Sequence, residues 1–191
     1  MAPPDAELVA RVVDGDDRRA FGALVRRHHA LVRALLRKLT CGDAALADDL
    51  AQETFLRAYR GLAGFEGRSK LSTWLCQIAY RTFLAETERA KHAQRTHEAD
   101  GAGAATRASE EEPAATTGAV GALLRHDVER ALARLDARER HAIALTFGQD
   151  LTHDDAARIL GLPLGTLKTT VARGLAKLER HLRAYDDGRI A

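Results

Sequence analysis

A stretch of 30 residues that is nearly free of large apolar side chains divides this sequence into two parts. From His92 to Gly121 the chain is rich in Ala, Gly, Thr and acidic residues, and Val120 is its one large aliphatic residue. Such a segment cannot bury enough apolar surface to offset the entropy lost on ordering. The sequence therefore predicts a first domain, a flexible linker, a second domain and a tail at residues 1–92, 93–121, 122–184 and 185–191.

Both parts have the composition and periodicity of helical domains. Ala, Leu and Arg dominate, aromatic residues make up 5% of the chain, and β-branched residues are scarce. That balance favours helix over sheet. Apolar residues recur every three or four positions, for example from Phe21 to Leu39, as on a helix with one buried stripe. We therefore expect an all-α fold of two small helical domains, in which His28 is a buried histidine with a hydrogen-bond partner.

The composition excludes several classes of protein. No apolar run approaches the roughly 20 residues that cross a membrane. The start, MAPPDAEL, lacks the basic and apolar parts of a secretory signal. Cys41 and Cys76 are too few for a disulfide framework, and no residues near them have metal-ligand spacing. We therefore expect a cytoplasmic protein without membrane insertion, metal or cofactor.

The first part contains an acidic helix, a basic loop and an aromatic helix in direct succession, from Ala47 to Phe83. The acidic helix is predicted at about Asp48–Gly61, with an apolar stripe on one side and acids and an amide on the other. The loop Phe65–Ser72 is basic and contains glycine, and either Ser72 or Thr73 can cap the helix that follows. This unusual combination marks the stretch as the centre around which the first part is organised.

The second part ends in a helix-turn-helix pattern. Thr152 and Asp155 have the spacing of a capping box, and Gly161 suits the left-handed residue that ends a helix. Pro163 cannot continue the first helix, and Thr166 can cap the second. The second helix then has an apolar inner stripe and an outer face of hydroxyls and cations. The predicted inner stripe is Leu167, Val171, Leu175 and Leu178, and the predicted outer face is Thr166, Lys168, Thr169, Thr170, Arg173 and Lys177.

This outer face has the chemistry needed to contact DNA. Its cations can pair with phosphates or with guanine edges, and its hydroxyls can donate to phosphate or contact a thymine methyl. Gly174 within the helix costs about 1 kcal/mol relative to Ala, and close approach by another helix would explain it. The pattern predicts a DNA-binding helix-turn-helix, with a solvated helical hairpin as the alternative.

Together the two parts resemble an extracytoplasmic-function (ECF) sigma factor, the compact two-domain class of bacterial transcription initiation factor. Region 2 of that family begins with a helix similar to AFGALVRRHHALVRALLRKL. Its polymerase-binding helix, promoter-melting loop and next helix are similar to DDLAQETFLRAYRGLAGFEGRSKLSTWLCQIA. Region 4 is similar to ALARLDARERHAIALTFGQDLTHDDAARILGLPLGTLKTTVARGLAKL. The presence of both motifs in this order, across a linker, makes the resemblance specific.

The resemblance implies a promoter-specificity subunit with no catalytic role. Such a subunit binds core RNA polymerase, recognises the −10 and −35 promoter elements and helps to melt the first. The acidic helix would bind the clamp helices of the largest polymerase subunit, with Phe55 or Leu56 as an apolar anchor, and the polymerase flap would be a second contact. The residues implied for polymerase binding are Asp48, Asp49, Gln52, Glu53, Phe55, Leu56 and Arg57.

The resemblance also implies two sets of contacts with promoter DNA. The basic loop would capture an unstacked base of the −10 element while Arg68 and Lys70 follow the backbone. Trp74 has two interpretations, as a core residue or as a direct DNA contact. The helix after Thr166 would bind the −35 element in the major groove. The implied −10 residues are Phe65, Arg68, Ser69, Lys70, Ser72, Thr73, Trp74 and Arg81, and the implied −35 residues are Thr166, Lys168, Thr169, Thr170, Arg173 and Lys177.

Four positions depart from the family pattern. The family often has an asparagine after IA-x and then a cluster of arginines, whereas this chain continues Ile78-Ala79-Tyr80-Arg81-Thr82. Thr170 and Leu175 stand where basic residues are common. We therefore expect these positions to influence the promoter preference of this chain.

Other functions explain only part of the sequence. A helix-turn-helix transcriptional regulator with a helical sensor domain would not need an acidic docking helix followed by a basic loop and Trp74. An enzyme would need a nucleophile–base pair, a phosphate loop or metal-ligand spacing, and the sequence has none of these. Many relatives are held by an anti-sigma factor, and a flexible linker would permit such a partner here.

Overall fold

The computed structural model describes residues 3–99, 127–147 and 151–189. Within these ranges every regular element is a helix and no strand occurs, so the predicted all-α class is confirmed. No helix in the same ranges is long and apolar enough to cross a membrane. In chain order the elements are α1 (Asp5–Gly15), α2 (Arg18–Leu39), α3 (Ala44–Gly61), a 3₁₀ helix (Leu62–Gly64), α4 (Leu71–Ala99), α5 (127–133), α6 (Ala137–Thr146), α7 (His153–Leu160) and α8 (Leu164–Arg189).

The described residues group into two compact units. The first unit consists of residues 3–32 and 48–99, and the second consists of 33–47, 127–147 and 151–189. Residues 33–47 thus group with the second unit, although the sequence suggested a first domain that includes them. The remaining division into domains stays a prediction.

Two predicted boundaries fall inside helices. Helix α4 continues to Ala99, so residues 93–99 of the predicted linker are helical. Helix α8 continues to Arg189, so most of the predicted tail is helical as well. The rest of the predicted linker lies outside the described residues.

Helix α2 forms along the stripe predicted for it. Asp17 caps the helix, because its carboxylate accepts hydrogen bonds from the backbone N–H groups of Ala20 and Arg19. The hydrogen bond from Ala20, and to a smaller extent the one from Arg19, lowers the pKa of Asp17. On the inner stripe the side chain of His28 is buried, and its Nε2 lies 2.9 Å from Oδ2 of Asp5. The prediction of a buried histidine with a partner is confirmed, and the contact ties α1 to α2.

A capping residue defines the start of α3, and a buried residue defines the start of α4. Helix α3 starts at Ala44, earlier than predicted, because the Asp43 carboxylate accepts a backbone N–H of the first turn at 2.9 Å. Helix α4 starts at Leu71, whose side chain is buried. Ser72 and Thr73 therefore lie inside the first turn, and the prediction that one of them caps this helix is wrong.

The second unit has its own apolar core. The side chains of Leu132, Leu135 and Ile143 form a buried cluster, and the partly buried Leu178 packs against it. Helices α6, α7 and α8 all contact one another. Asp136 caps α6 by accepting a backbone N–H of its first turn at 2.8 Å. The helix-turn-helix segment is thus supported by α6 and by the residues that precede it.

Candidate polymerase and DNA interfaces

The outer face of α3 is built from residues spaced three and four apart. Asp49, Gln52 and Leu56 are exposed, and Leu56 leaves 52% of its surface accessible. Glu53 and Arg57 lie beside them, with Oε1 of Glu53 2.6 Å from Nε of Arg57. The hydrogen bond from Arg57 lowers the pKa of Glu53, which keeps this carboxylate charged. We call these five residues the α3 face; it combines two carboxylates, an amide and an apolar side chain beside one cation.

Phe55 does not belong to the α3 face. It is only 7% exposed, and its ring stacks on that of His29 with centroids 6.2 Å apart. Asp48 is half-buried at the edge of the face. Of the two predicted apolar anchors, Leu56 is therefore the one that a partner can reach.

The loop between the 3₁₀ helix and α4 is held by an aromatic pair. The rings of Phe65 and Trp74 lie 5.3 Å apart between centroids and are tilted by 52°. Gly67 has φ of +69°, a left-handed conformation that glycine adopts without a steric penalty. The loop can therefore turn sharply beside the pair, and the side chains of Arg68 and Lys70 are exposed.

The predicted −10 residues differ in accessibility. Arg68 forms an exposed ion pair with Glu66 at 2.5 Å, and a pair so exposed is held weakly in water. Ser69 and Ser72 are half-buried. Thr73 is buried, so it cannot present its hydroxyl to a ligand without rearrangement. Cys76, three residues further along the helix, is buried as well, so Thr73 lies on the inner side of α4.

Trp74 has features of a core residue and also of a residue that DNA could contact. Its ring packs on Phe65, and a Cβ on Gly61 would lie 3.7 Å from the indole. The residue is nevertheless only half-buried, so part of the ring is accessible. Trp74 can therefore fix the loop and still offer a surface to a base.

The side of α4 on which Trp74 lies extends two further turns along the helix. Arg81 is exposed, and its seven-residue spacing from Trp74 puts it on the same side of the helix. Gln77 lies between them and is half-buried; its three-residue spacing from Trp74 places it on the same side of the helix, although it was not among the predicted contacts. Tyr80 is buried, and burial raises the pKa of its hydroxyl, so this residue belongs to the core.

Helix α7 has the predicted start and stop signals. The hydroxyl of Thr152 accepts the backbone N–H of Asp155 at 3.1 Å, and the Asp155 carboxylate accepts the backbone N–H of Thr152 at 3.2 Å. Gly161 follows the helix in the left-handed conformation with φ of +65°. The capping box and the glycine stop are both confirmed.

The turn of the helix-turn-helix is shorter than predicted. Helix α8 begins at Leu164, and the Pro163 carbonyl accepts the backbone N–H of Leu167 at 3.0 Å. Thr166 therefore lies within the first turn, and its prediction as the capping residue is wrong. Its exposed side chain still belongs to the outer surface of α8.

The buried stripe of α8 runs through different residues than predicted. Thr170 is only 6% exposed, and its hydroxyl donates to the Thr166 carbonyl at 2.8 Å. Leu175, predicted to be inside, is 38% exposed. Both predictions are wrong for one reason: the helix packs through the small Gly174, which turns Thr170 inward and Leu175 outward. The inner stripe is Leu167, Thr170, Val171, Gly174 and Leu178.

Close approach by another helix accounts for Gly174. A Cβ at this position would lie 2.8 Å from Cδ1 of Ile143 and 3.3 Å from Cβ of Glu139. Helix α6 therefore occupies the space that any larger residue would need. The expectation that a neighbouring helix explains this glycine is confirmed.

Lys177 also turns towards α6. Its Nζ lies 2.7 Å from Oε1 of Glu139, a residue that is 1% exposed, and 3.7 Å from Oδ2 of Asp136. The ammonium group is thus engaged with two carboxylates, one of them buried. Lys177 lies at the border of the outer face and not within it.

The exposed face of α8 is rotated relative to the predicted one. Lys168, Thr169 and Arg173 are exposed as expected. On the surface between them lie Ala172 and Ala176, two exposed alanines that were not part of the predicted outer face. Counting the helical period from the inner stripe through Gly174 would have identified them.

Among the described residues, the cysteines and histidines do not assemble into a metal site. Burial raises the pKa of the Cys76 thiol to about 12, which makes it unreactive. In the part of the chain that the structure describes, no cluster of His, Cys, Asp and Glu is arranged to hold a metal ion.

Comparison with known proteins identifies the family. Sigma-70 region 2 matches residues 24–93, and Sigma-70, region 4 matches residues 125–178. The ECF RNA polymerase sigma factor SigM of Mycobacterium tuberculosis (strain ATCC 25618 / H37Rv) is 36% identical over 184 residues, which cover 96% of this chain and 87% of the relative. The chain belongs to the ECF RNA polymerase sigma factors.

Further relatives of this sigma factor agree with the assignment. The RNA polymerase sigma-H factor of Pseudomonas aeruginosa is 30% identical, with 94% of each chain covered. The structure resembles the sigma factor RpoE in complex with the anti-sigma factor NepR from Bartonella quintana, with a TM-score of 0.68, 26% identity and 85% and 96% of the two chains covered. It also resembles CnrH in complex with the cytosolic domain of CnrY, with a TM-score of 0.67, 25% identity and 94% and 97% coverage.

The family decides between the functions that the sequence left open. The protein is a transcription initiation factor that binds core RNA polymerase and promoter DNA, and it is not an enzyme. The alternative of a sensor-type regulator is excluded because the first part matches region 2.

Proposed function

We propose that this sigma factor binds core polymerase through the α3 face and contacts the −10 and −35 elements through α4 with its preceding loop and through α8, respectively. One observation supports the proposal most directly. The accessible α3 face carries acids, an amide and a leucine. After one helical turn and a loop it is followed by two exposed cations, Arg68 and Lys70. A protein ligand and a single strand of DNA can therefore be held by neighbouring elements.

The α3 face is suited to a basic coiled coil such as the clamp helices of the largest polymerase subunit. Asp49, Gln52 and Leu56 form its centre, where the exposed leucine supplies an apolar anchor and its neighbours supply charge complementarity. Glu53 and Arg57 are already paired with one another, so they contribute orientation at the rim. In this proposal Phe55 and Asp48 support the helix from within and from its edge.

The loop before α4 is suited to an extruded base of the −10 element. Arg68 and Lys70 would follow the phosphates while the Phe65–Trp74 pair forms one wall of the base pocket. Ser69 adds a hydroxyl at the rim. Gln77 and Arg81 would continue this contact along α4, in the region where the chain departs from the family pattern.

Helix α8 is suited to the major groove of the −35 element. Lys168 and Arg173 flank the exposed side, and Thr166 and Thr169 add hydroxyls near its N-terminal end. Ala172 lies between them and is small enough to contact a thymine methyl. The proposal leaves Thr170 out of the contact set, because its side chain is buried.

A linker between the two DNA-binding parts can span the promoter. Residues 100–121 alone could extend to roughly 75 Å. Two elements about one and a half turns apart are separated by roughly 50–55 Å of duplex. Simultaneous engagement of both elements would raise the effective affinity without any new contact.

An anti-sigma factor is a further proposed partner, supported by the likeness to a sigma factor solved with NepR. The proposed site of action is the cytoplasm, where core polymerase and the chromosome are found.

Reconstitution with core RNA polymerase tests the proposal. The full chain should form a holoenzyme that selects DNA with defined −10 and −35 sequences from a randomised promoter library and initiates transcription on it. Failure to bind core polymerase at micromolar concentration would contradict the proposed α3 face. Binding without −35 selection would contradict only the proposed role of α8.

A further inference from the structure

We propose that Lys177 is a positioning residue for the recognition helix α8 and makes no contact with DNA itself. Its ammonium group neutralises the buried Glu139 carboxylate and thereby sets the rotation of α8 about its own axis. This inference rests on the proposed binding of the −35 element by α8.

The first observation is the burial of Glu139. Its side chain is almost wholly removed from water, and Nζ of Lys177 lies 2.7 and 2.8 Å from its two carboxylate oxygens. An ionised carboxylate in such a place is strongly unfavourable without a cation beside it. Removing Lys177 from this position to reach a phosphate would leave that charge uncompensated.

The second observation is the contact one turn before Lys177. At Gly174 the backbone of α8 approaches α6 so closely that a Cβ would meet Ile143 and Glu139. Gly174 and Lys177 are three residues apart, so they lie on adjacent turns of the same side of α8. The steric contact at Gly174 limits the distance between the helices, and the ion pair limits rotation about the point of contact.

The third observation is the charge at the start of α6. Asp136 is the capping residue and Glu139 lies in the first turn, and Nζ of Lys177 lies within 3.7 Å of a carboxylate oxygen of each. The cation therefore bridges two acids that are anchored to one helix end. Such a bridge gives α8 a defined register on α6.

The consequence for DNA binding follows from the helical spacing. Arg173 precedes Lys177 by four residues, so the two are neighbours on the surface of α8. A rotation of α8 that released Lys177 would also turn Arg173, Thr169 and Ala172 relative to the duplex. The ion pair thus determines which side chains face the bases.

The experiment uses the holoenzyme and DNA selected by the wild-type holoenzyme from a library randomised in the −35 region. Lys177→Met removes the charge with little change in length. Lys168→Met is the matched control on the exposed side of the same helix. Two quantities are measured for each variant: the slope of log affinity against log salt, and the ratio of affinities for selected and scrambled −35 sequences.

For a positioning residue we expect Lys177→Met to keep the wild-type salt slope and to lose −35 discrimination by about tenfold. Lys168→Met should reduce the salt slope by about one unit, as loss of a phosphate contact does. Adding Glu139→Gln to Lys177→Met removes the buried charge, so the double variant should stay folded, keep the salt slope and still discriminate less than wild type. Lys177→Arg should restore most of the discrimination.

Two results would overturn the inference. A drop of about one unit in the salt slope of Lys177→Met would make Lys177 a phosphate contact. Wild-type discrimination in the folded double variant would show that the pair does not position α8. If instead the wild-type holoenzyme selects no −35 sequence at all, the proposed role of α8 fails, and that result is distinct from both of these.

Discussion

Helices α3 and α8 both have an outer face that the sequence assigned to binding, but the two assignments differ in accuracy. In α3 the inner stripe contains the large residues Leu50 and Phe55, and the exposed residues lie where the apolar period predicts them. In α8 the inner stripe passes through Thr170 and Gly174, so apolar residues alone give the wrong rotation. Large apolar side chains identify the buried side of a helix from its sequence. The buried side of a helix that packs through small residues cannot be identified in this way.

The sharpest test of the α3 assignment compares two consecutive residues. Phe55→Ala should lower the free energy of unfolding by about 3–5 kcal/mol, because it removes a buried aromatic ring. Leu56→Ala should change it by less than about 0.5 kcal/mol and weaken polymerase binding by about tenfold, or about 1.4 kcal/mol. Denaturant unfolding and a binding titration with core polymerase measure the two effects. Val13→Ala, another exposed apolar residue, is the control that should leave polymerase affinity unchanged.

The equivalent test of α8 compares two glycines of the same helix. Gly174→Val should destabilise the protein by about 1–3 kcal/mol, because the added atoms overlap Ile143 and Glu139. Gly165→Val should change stability by less than about 0.5 kcal/mol, since nothing lies within 4 Å of a Cβ there. Thermal and denaturant unfolding of both variants provide the measurement. Equal effects at the two positions would contradict the packing of α8 through Gly174.

The outer face of α8 can be tested by removing its cations. Replacing both Lys168 and Arg173 with Ala should reduce the salt slope of −35 binding by about two units while polymerase affinity stays constant. Thr170→Val, which alters a buried position, should leave the affinity for selected −35 DNA unchanged. The measurement is holoenzyme binding to selected −35 DNA across a series of salt concentrations. A loss of affinity for selected −35 DNA in Thr170→Val would support the outward orientation that the sequence predicted.

The smallest expected effect concerns His141 on α6, the helix against which α8 packs. Burial, with a smaller contribution from Arg140, lowers the pKa of His141 from 6.5 to about 4. The unfolded chain therefore binds a proton at this residue first as the pH falls, and stability should decline from about pH 6.5 towards pH 4. His141→Gln should flatten the decline between pH 6.5 and 5, where most carboxylates remain ionised. Unfolding midpoints across this interval would detect it, and parallel curves would contradict it.

Local signals allowed much of the fold and part of the site to be predicted. The capping box of Thr152 and Asp155 and the stop at Gly161 were both predictable, because each depends on hydrogen bonds between residues close in the chain. The exposed positions Asp49 and Gln52 followed from the period of one helix. The starts of α4 and α8 were not predictable, since buried Leu71 and the Pro163 carbonyl define those helices more strongly than the hydroxyls that follow.

The sequence by itself determined the all-α class, the family, and the order of an acidic helix, a basic loop and a helix-turn-helix. These features depend on composition and on short-range spacing. Only the tertiary structure decided that Thr170 is buried and that Lys177 pairs with Glu139, 38 residues earlier in the chain. Such contacts depend on how closely two helices approach, and that distance is decided at Gly174 by the side chains of another helix.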